Sequence, residues 1–325
     1  MYIKNKERGV ILISVLLIVL VLSAIAMSIG NNFLLAFKRS IYQDLQSNSF
    51  ELFKNIESIS LKRIEEKNRF GSQALTKDDP LFKDTFYFEL PNGQLYAQIS
   101  DASNCLNINS VVVSLSNKNY VQNPKGMAAL KKYLMYKEFD ERDIDSLIDQ
   151  MIDWIDIDNQ PRQGGLEDYF YTGPLHNPQQ YTSKRLFYDL SELKNLPAFR
   201  KFNWDNVSNY LCSIPLSGNS KVNINTLNME DSELLSSLLP NVTVKDAEAI
   251  IASIPQEGFV DISQLMLEFP GVDFTNSDAT IFFTSNLFSI KSEIISDDMK
   301  ISSESILYLE NNRNGYIVSR TYNGL

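Results

Sequence analysis

Every position from Val10 to Ile29 is uncharged, a run of 20 residues whose only hydroxyls are Ser14, Ser23 and Ser28. A helix rising ~1.5 Å per residue makes that run about 30 Å long, the apolar thickness of a bilayer. Beyond Gly30 the apolar positions become periodic. Phe33, Ala36, Phe37, Ile41, Leu45, Phe53, Ile56, Ile59 and Ile64 recur at mostly three- and four-residue steps, which predicts an amphipathic helix. No Pro lies between Val10 and Arg69, so the pattern predicts one helix of about 55 to 60 residues, membrane-embedded at 10–30 and ending at Gly71 and Ser72.

Past that helix the pattern turns to alternation. Phe82 to Leu90 and Leu95 to Ser100 read as strands around Pro91-Asn92-Gly93, whose Asn-Gly pair signals a hairpin turn. Asn286 to Ile295, Lys300 to Glu310 and Tyr316 to Tyr322 are three further strands, with Asn314-Gly315 marking another turn. Between these groups, Lys125 to Tyr136, Arg142 to Ile155, Leu190 to Leu196, Trp204 to Leu211, Met229 to Leu239, Val244 to Ser253 and Ile262 to Glu268 have the period of short helices. The predicted class is α+β. A long amino-terminal helix and a small antiparallel sheet, drawn from residues 31–109 and 281–325, carry a large inserted all-α domain at 110–280.

Two echoes frame the insert, Cys105-Leu-Asn-Ile-Asn-Ser110 and Lys221-Val-Asn-Ile-Asn-Thr226. Asn side chains at such places end strands and cap helices through local backbone bonds. The second echo runs on through Leu239-Pro-Asn-Val-Thr243 to Leu265 and resembles a helix-hairpin-helix, or SAM-like, unit. Members that bind DNA have a Gly-rich hairpin there, and these glycines are missing, so the unit is expected to be a packing module.

Composition removes several functional classes. With 30 Lys and Arg against 40 Asp and Glu the formal charge is -10, the wrong sign for a nucleic-acid partner. One His and two Cys leave little material for a zinc site, a Ser-His-Asp triad or a Cys-His pair. His176, in a polar Pro-rich loop, is expected to be exposed, and Trp154 and Trp204 to be core. No nucleotide-binding G-x-x-x-x-G-K-[ST] motif occurs. The expectation is a non-enzymatic protein.

Residues 1–9 carry Lys4, Lys6, Arg8 and Glu7 and end in Gly9, directly before the apolar run. A short basic leader ending in Gly and followed by such a helix resembles the prepilin class, in which a dedicated peptidase cuts after that Gly. The resemblance implies cleavage between Gly9 and Val10. The fifth mature residue is then Ser14, where most pilins and pseudopilins have Glu. That Glu neutralises the terminal ammonium of a neighbouring subunit in a low-dielectric bundle, so a subunit without it suits the tip. This departure, with the helical insert, is similar to general secretion pathway protein K of type II secretion. The resemblance implies a pilin-like fold and a minor pseudopilin in the inner membrane with its bulk in the periplasm. It implies as partners other minor pseudopilins in a tip complex, the major pseudopilin, the prepilin peptidase and the inner-membrane secretion platform. Exported substrates and the outer-membrane secretin are further candidates.

Ten carboxylates (140, 141, 143, 145, 149, 153, 156, 158, 167 and 168) stand against Arg142 and Arg162 between residues 140 and 168. Ile144, Leu147, Ile148, Met151, Ile152 and Ile155 form an apolar stripe, which places Asp145, Asp149 and Asp153 on the opposite side. The residues allow two readings. One is a solvated acidic face. The other is a loop whose Pro-Gly-Gly turn returns Glu167 and Asp168 towards Asp156 and Asp158, a set of oxygens suited to calcium. The resemblance to protein K implies the second, with Asp156, Asp158, Gln160, Glu167 and Asp168 as ligands and Asp153 nearby. The spacing is not that of an EF-hand. Cys105 and Cys212 are either two buried thiols or a pair. The periplasmic topology implied by the resemblance favours a disulfide.

Two rival functions remain at this stage: a minor subunit of a type IV pilus, used in adhesion or motility, and a membrane-anchored periplasmic hydrolase using the acidic loop.

Overall fold

The computed structural model describes residues 7–69, 74–91, 93–116, 119–174, 177–274, 280–296, 299–310 and 314–324. The leader residues 1–6, the expected helix end at Gly71 and Ser72, Asn92 and His176 lie outside the described residues. The chain divides into two compact units, one reaching Asn55 and the other beginning at Ile56.

The first unit is the amino-terminal part of helix α1, which spans Glu7–Arg69 without a break. Its large apolar side chains from Ile11 to Phe37 are exposed on every face. A helix apolar all round and uncovered by protein is one that lipid or other helices must cover, and this segment is long enough to cross a membrane. The Ser14 Oγ donates to the carbonyl of Ile11 at 2.9 Å.

The second unit contains the rest of α1, the sheet and the insert. The sheet runs β1 (Thr85–Leu90), β2 (Gly93–Asp101), β3 (Leu287–Ser296), β4 (Met299–Glu310) and β5 (Asn314–Asn323) in that order, all antiparallel. The whole insert therefore occupies one connection, β2 to β3, of a simple meander. The first strand starts later than expected. Asp79 accepts the amide of Leu81 and Pro80 sits at the first helical position, so Phe82 belongs to a helical turn, Pro80–Lys83. The alternation buries Leu95, Ala97 and Ile99 of β2 with Ile290 and Ile294 of β3. On β4 and β5, Ser305 and Arg320 reach the buried Glu57 of α1. Arg320 makes two bonds to its carboxylate at 2.7 and 2.8 Å, and Ser305 Oγ makes one at 2.6 Å. These bonds hold helix to sheet in one register, because the buried Glu57 carboxylate would be an uncompensated charge without the partly exposed Arg320.

The insert holds α2 (Pro124–Tyr136), α3 (Glu141–Ile155), α4 (Ser232–Leu238), α5 (Val244–Ala252) and α6 (Ile262–Glu268) around one continuous apolar core. The helices expected at Leu190–Leu196 and Trp204–Leu211 are shorter and tighter: a 3-10 turn at Leu190–Asn195, and one α turn at Trp204–Val207 followed by 3-10 at Ser208–Tyr210. Trp154 is core as expected. Trp204 is only partly buried, packed edge-on to Phe199 with Lys194 over its ring at 4.0 Å.

The Asn-Ile-Asn echoes are two copies of one construction. Asn107 and Asn223 each accept the amide two residues on, at 3.2 and 3.1 Å, which opens a 3-10 turn. Asn109 accepts the amide of Phe187 and donates to its carbonyl (2.8 and 2.9 Å), and Asn225 does the same for Phe259 (2.8 and 2.9 Å). From those two Phe the chain reads Phe-Tyr-Asp-Leu-Ser-Glu-Leu193 and Phe-Val-Asp-Ile-Ser-Gln-Leu265, with Asp189 and Asp261 capping the helices that follow. Each copy is closed at its start by a short parallel strand pair, Leu106–Asn107 with Leu211–Cys212 and Lys221–Asn223 with Thr280–Phe282. The insert is therefore two tandem helical units. They are joined where the Lys132 ammonium of α2 donates to the carbonyls of Ser236, Leu239 and Val242 at 2.7 to 3.1 Å. That is the hairpin which in DNA-binding relatives of the motif faces phosphate; here it is occupied by a neighbouring helix, in line with the packing role expected of it.

At the neck, Cys105 and Cys212 form a disulfide. Asp101, the last residue of β2, accepts from Ser103 (N and Oγ), Thr226 and Ser285. One carboxylate thus joins the entry to the insert, its second helical unit and its exit. Burial raises the Asp101 pKa against these hydrogen bonds.

A candidate metal centre in the acidic loop

Helix α3 starts where Asp140 accepts the amide of Arg142 at 2.9 Å, and it buries the expected stripe of Ile144, Leu147, Ile148, Met151, Ile152 and Ile155. The opposite row is not the solvated face that its spacing suggests. Asp145 pairs with Lys131 at 2.7 Å, but Asp149 accepts the amide of Gly164 at 3.0 Å and Asp153 accepts that of Arg162 at 3.1 Å. Ser146 and Gln150 both donate to the Gly164 carbonyl at 3.3 Å. The Pro161–Gly165 turn lies across the row and covers it, leaving Asp153 fully buried. Only glycine fits at 165, because a Cβ there would stand 1.9 Å from Asp153 Oδ2.

The turn delivers Glu167 to Asp156 and Asp158. One carboxylate oxygen from each of these three lies within 4.8 Å of the others. Glu167 and Asp156 are buried, and Asp158 is exposed. The remaining expected ligands stand apart from this cluster. Asp168 accepts from the amide and hydroxyl of Thr182 at 2.8 and 2.7 Å, with Lys184 Nζ at 3.3 Å. Gln160 is exposed, and its backbone amide donates to Asp158 Oδ1 at 2.8 Å. Lys184 also reaches the carbonyls of Ile157 and Asp158 at 3.3 Å and Asn159 Oδ1 at 2.5 Å. One ammonium therefore ties the outer side of the loop and leaves the inner carboxylates to one another.

Those inner groups lack donors. Both oxygens of Glu167, Oδ1 of Asp156 and Oδ1 of Asp153 are buried without a hydrogen-bond partner among the described residues. Burial, reinforced by Asp158 and Asp153, pushes Asp156 up to about 7. Burial, reinforced by Asp156 and Asp153, pushes Glu167 up to about 7. Burial also raises Asp153 to about 6, against the pull of Arg162. Native proteins rarely leave buried carboxylate oxygens unpaired, since each costs about 1–3 kcal/mol or more. An oxygen-preferring dication would remove that cost, so the donor set fits a hard ion such as calcium. Sequence spacing did not separate Asp168 from the cluster, because its partner, Thr182, lies 14 residues away.

Comparisons with known proteins bear on the whole chain. A family model described as type II secretion system protein K matches residues 104–216, and a second with the same description matches 222–281. The boundary between them falls between the two helical units. The type II secretion system protein K of Pectobacterium carotovorum subsp. carotovorum is 26% identical over 99% of this chain and 98% of its own. That of Aeromonas hydrophila is 24% identical over 98% of each, and the putative protein K of Escherichia coli K12 is 24% identical over 94% of each. Among solved structures, a chain of the GspK-GspI-GspJ complex from the type 2 secretion system of enterotoxigenic Escherichia coli superposes with a TM-score of 0.72 at 18% identity, covering 88% of this chain and 99% of that one.

Proposed function

The chain belongs to the protein K family of type II secretion systems, and from that premise we propose that it works as the tip subunit of the pseudopilus, starting its assembly and capping it. It is a minor pseudopilin held in the inner membrane by the one apolar amino-terminal helix, with the bulk of the chain in the periplasm. The family is a structural component of the pseudopilus and is not known as an enzyme; we read this chain as non-enzymatic too, its energy coming from a separate ATPase. The solved complex supports counterparts of GspI and GspJ as partners, and we propose that the amino-terminal helices pack through small residues such as Ala24, Ala26 and Gly30.

The observation that supports the tip position is at Ser14. Its hydroxyl donates to the carbonyl of Ile11 in its own helix, so this position offers no anion to the ammonium of a subunit above. Helix α1 runs unbroken through the bond between Gly9 and Val10, where the leader would be removed. Deleting the gene should abolish export of many proteins to the medium. Normal export with lost motility would instead support the type IV pilus reading. Immunogold labelling should mark one end of each fibre, and label spaced along the shaft would sink the tip assignment.

We propose also that Asp156, Asp158 and Glu167 hold calcium, with Gln160, Asp168 and Asp153 in supporting positions. When bound, the ion supplies the positive charge that lets these buried carboxylates stay ionised. The chain's own residues build the site: Gly165 admits the turn, Asp149 and Asp153 hold its backbone, and Lys184 fixes the outer side.

A further inference from the structure

Between the two helical units, the linker residues Ser217, Asn219 and Ser220 line a cavity of about 310 Å³ together with Tyr308 of β4 and Tyr316 of β5. The two rings meet edge to face at 5.6 Å. Lys221 also lines the cavity, its Nζ 5.4 Å from the Tyr308 ring centre and 5.6 Å from that of Phe282. These rings hold the ammonium by cation–π attraction, and among the described residues it makes no ion pair. Its charge is therefore held by ring faces and is available to an anion that enters the cavity.

Hydrogen-bond accounting points the same way. Ser220 Oγ accepts the amide of Asn107 at 3.2 Å, Ser217 Oγ accepts that of Ser114 at 3.2 Å, and Asn219 Oδ1 accepts the Asn123 amide group at 2.9 Å. In each case the accepting atom is engaged, and the group's own O–H or N–H has no acceptor among the described residues. The lining is therefore rich in donors, with one cation. Among the described residues Glu310 is the one carboxylate that lines the cavity, and it is exposed, so solvent screens it.

We propose that this cavity binds a carboxylate group, with Lys221 as its counter-charge, Ser217, Asn219 and Ser220 as donors, and the two tyrosine rings as walls. One Lys matches a monoanion, whereas a phosphate dianion is usually met by several cations or an Arg fork. The volume lies at the small end of ligand pockets and admits a ligand of one or two amino-acid residues. That carboxylate would be a free small molecule or the terminal residue of a polypeptide.

The test uses the full chain in nanodiscs, labelled with 3-fluorotyrosine, the Tyr308 and Tyr316 signals being assigned from their Phe variants. Acetate, a tripeptide with a free carboxyl terminus and the same tripeptide amidated are titrated in turn. Saturable shifts with the free-acid tripeptide and none with its amide are expected. An equal response to acetate identifies a free small carboxylate as sufficient, and a response to the peptide alone identifies a polypeptide end. Lys221→Met should weaken binding about tenfold or more, as loss of a charge-assisted contact does, while Lys221→Arg retains it. An unchanged melting temperature in Lys221→Arg shows that the fold is intact should Lys221→Met be unstable. Absence of shifts with all three probes, equal shifts with the amide, or a well-folded Lys221→Met that binds undiminished would overturn the proposal.

Discussion

The two helical units of the insert share a skeleton and differ in one connection. Both open with Asn-Ile-Asn, both clamp a Phe through the second Asn, and both continue with an Asp-capped turn. From the end of α5 to its Phe the second unit uses six residues, 253–258, whereas from the end of α3 the first uses 31, 156–186. That added length is the acidic loop. It buries Glu167 and Asp156 with oxygens that have no donor among the described residues, while the second unit closes the same gap with a short Pro-containing turn. The charge follows this division. Residues 110–280 carry 14 Lys and Arg against 24 Asp and Glu, and the rest of the chain carries 16 of each, so the insert holds all of the net -10. The shared skeleton is held by amide clamps and apolar packing; the elaborated copy has in addition the loop proposed above to hold calcium.

The sharpest way to separate the copies is through what only the first possesses. Replacing Cys105 and Cys212 together by Ser opens a loop of 107 residues and should cost up to ~4–5 kcal/mol in the chain-entropy model. Hydrogen exchange should quicken in α2 and α3 more than in α5, and uniform quickening would mean that the units do not differ in this respect. Chelation comes next. With calcium a thousandfold above its Kd, removal should lower stability by about 4 kcal/mol, and the loss of amide protection should centre on residues 156–168. An unchanged melt in excess chelator counts against the site. Glu167→Gln measured in calcium should reproduce part of the shift.

A third comparison tests the likeness itself. Asn109→Ala and Asn225→Ala each strand a buried backbone amide and carbonyl, at about 2–3 kcal/mol apiece. Urea melts should give similar losses, and a silent substitution at either position would break the equivalence. The smallest effect is at the neck. Burial raises Asp101 above its unfolded value of 3.8, so the folded state keeps a proton that the unfolded chain has released. Stability from this group is full below 3.8 and is lost as pH rises from there through the folded pKa. Asp101→Asn should flatten that part of the melting-temperature profile; an identical slope in the variant would show that Asp101 does not titrate differently on folding.

Periodicity located most of this architecture. The uncharged run and the amphipathic stretch behind it are one helix, Glu7–Arg69, and the last two alternating segments pair antiparallel, although Asn314 and Gly315, expected as their turn, lie inside the second strand opposite Glu310 and Leu309. The apolar stripe of α3 is buried as its spacing requires. The echo was legible only in part, since Asn-Ile-Asn stands out while Phe-x-Asp-[Leu/Ile]-Ser-[Glu/Gln]-Leu becomes visible once Phe187 and Phe259 are seen in equivalent clamps. For Asp153 the spacing gave the side opposite the apolar stripe and left a solvated face and a covered loop both open, because helical spacing says which side a residue occupies and not what folds over that side. The hairpin of Val112–Ser116 with Asn119–Gln122 and the two parallel strand pairs were not anticipated either; they are too short to build a period.

By itself, then, the order of residues determined the local facts: a membrane-length helix, where strands and turns fall, and which segment is acidic. These depend on neighbours within a few positions, through helix pitch, strand alternation and turn chemistry. Only the tertiary structure decided that Glu167 joins Asp156 and Asp158 while the adjacent Asp168 turns to Thr182 and Lys184, and that Lys221 stands between the rings of Tyr308 and Phe282. Those outcomes rest on contacts between distant parts of the chain, where burial and the supply of hydrogen-bond partners, and not residue type, set what each charge can do.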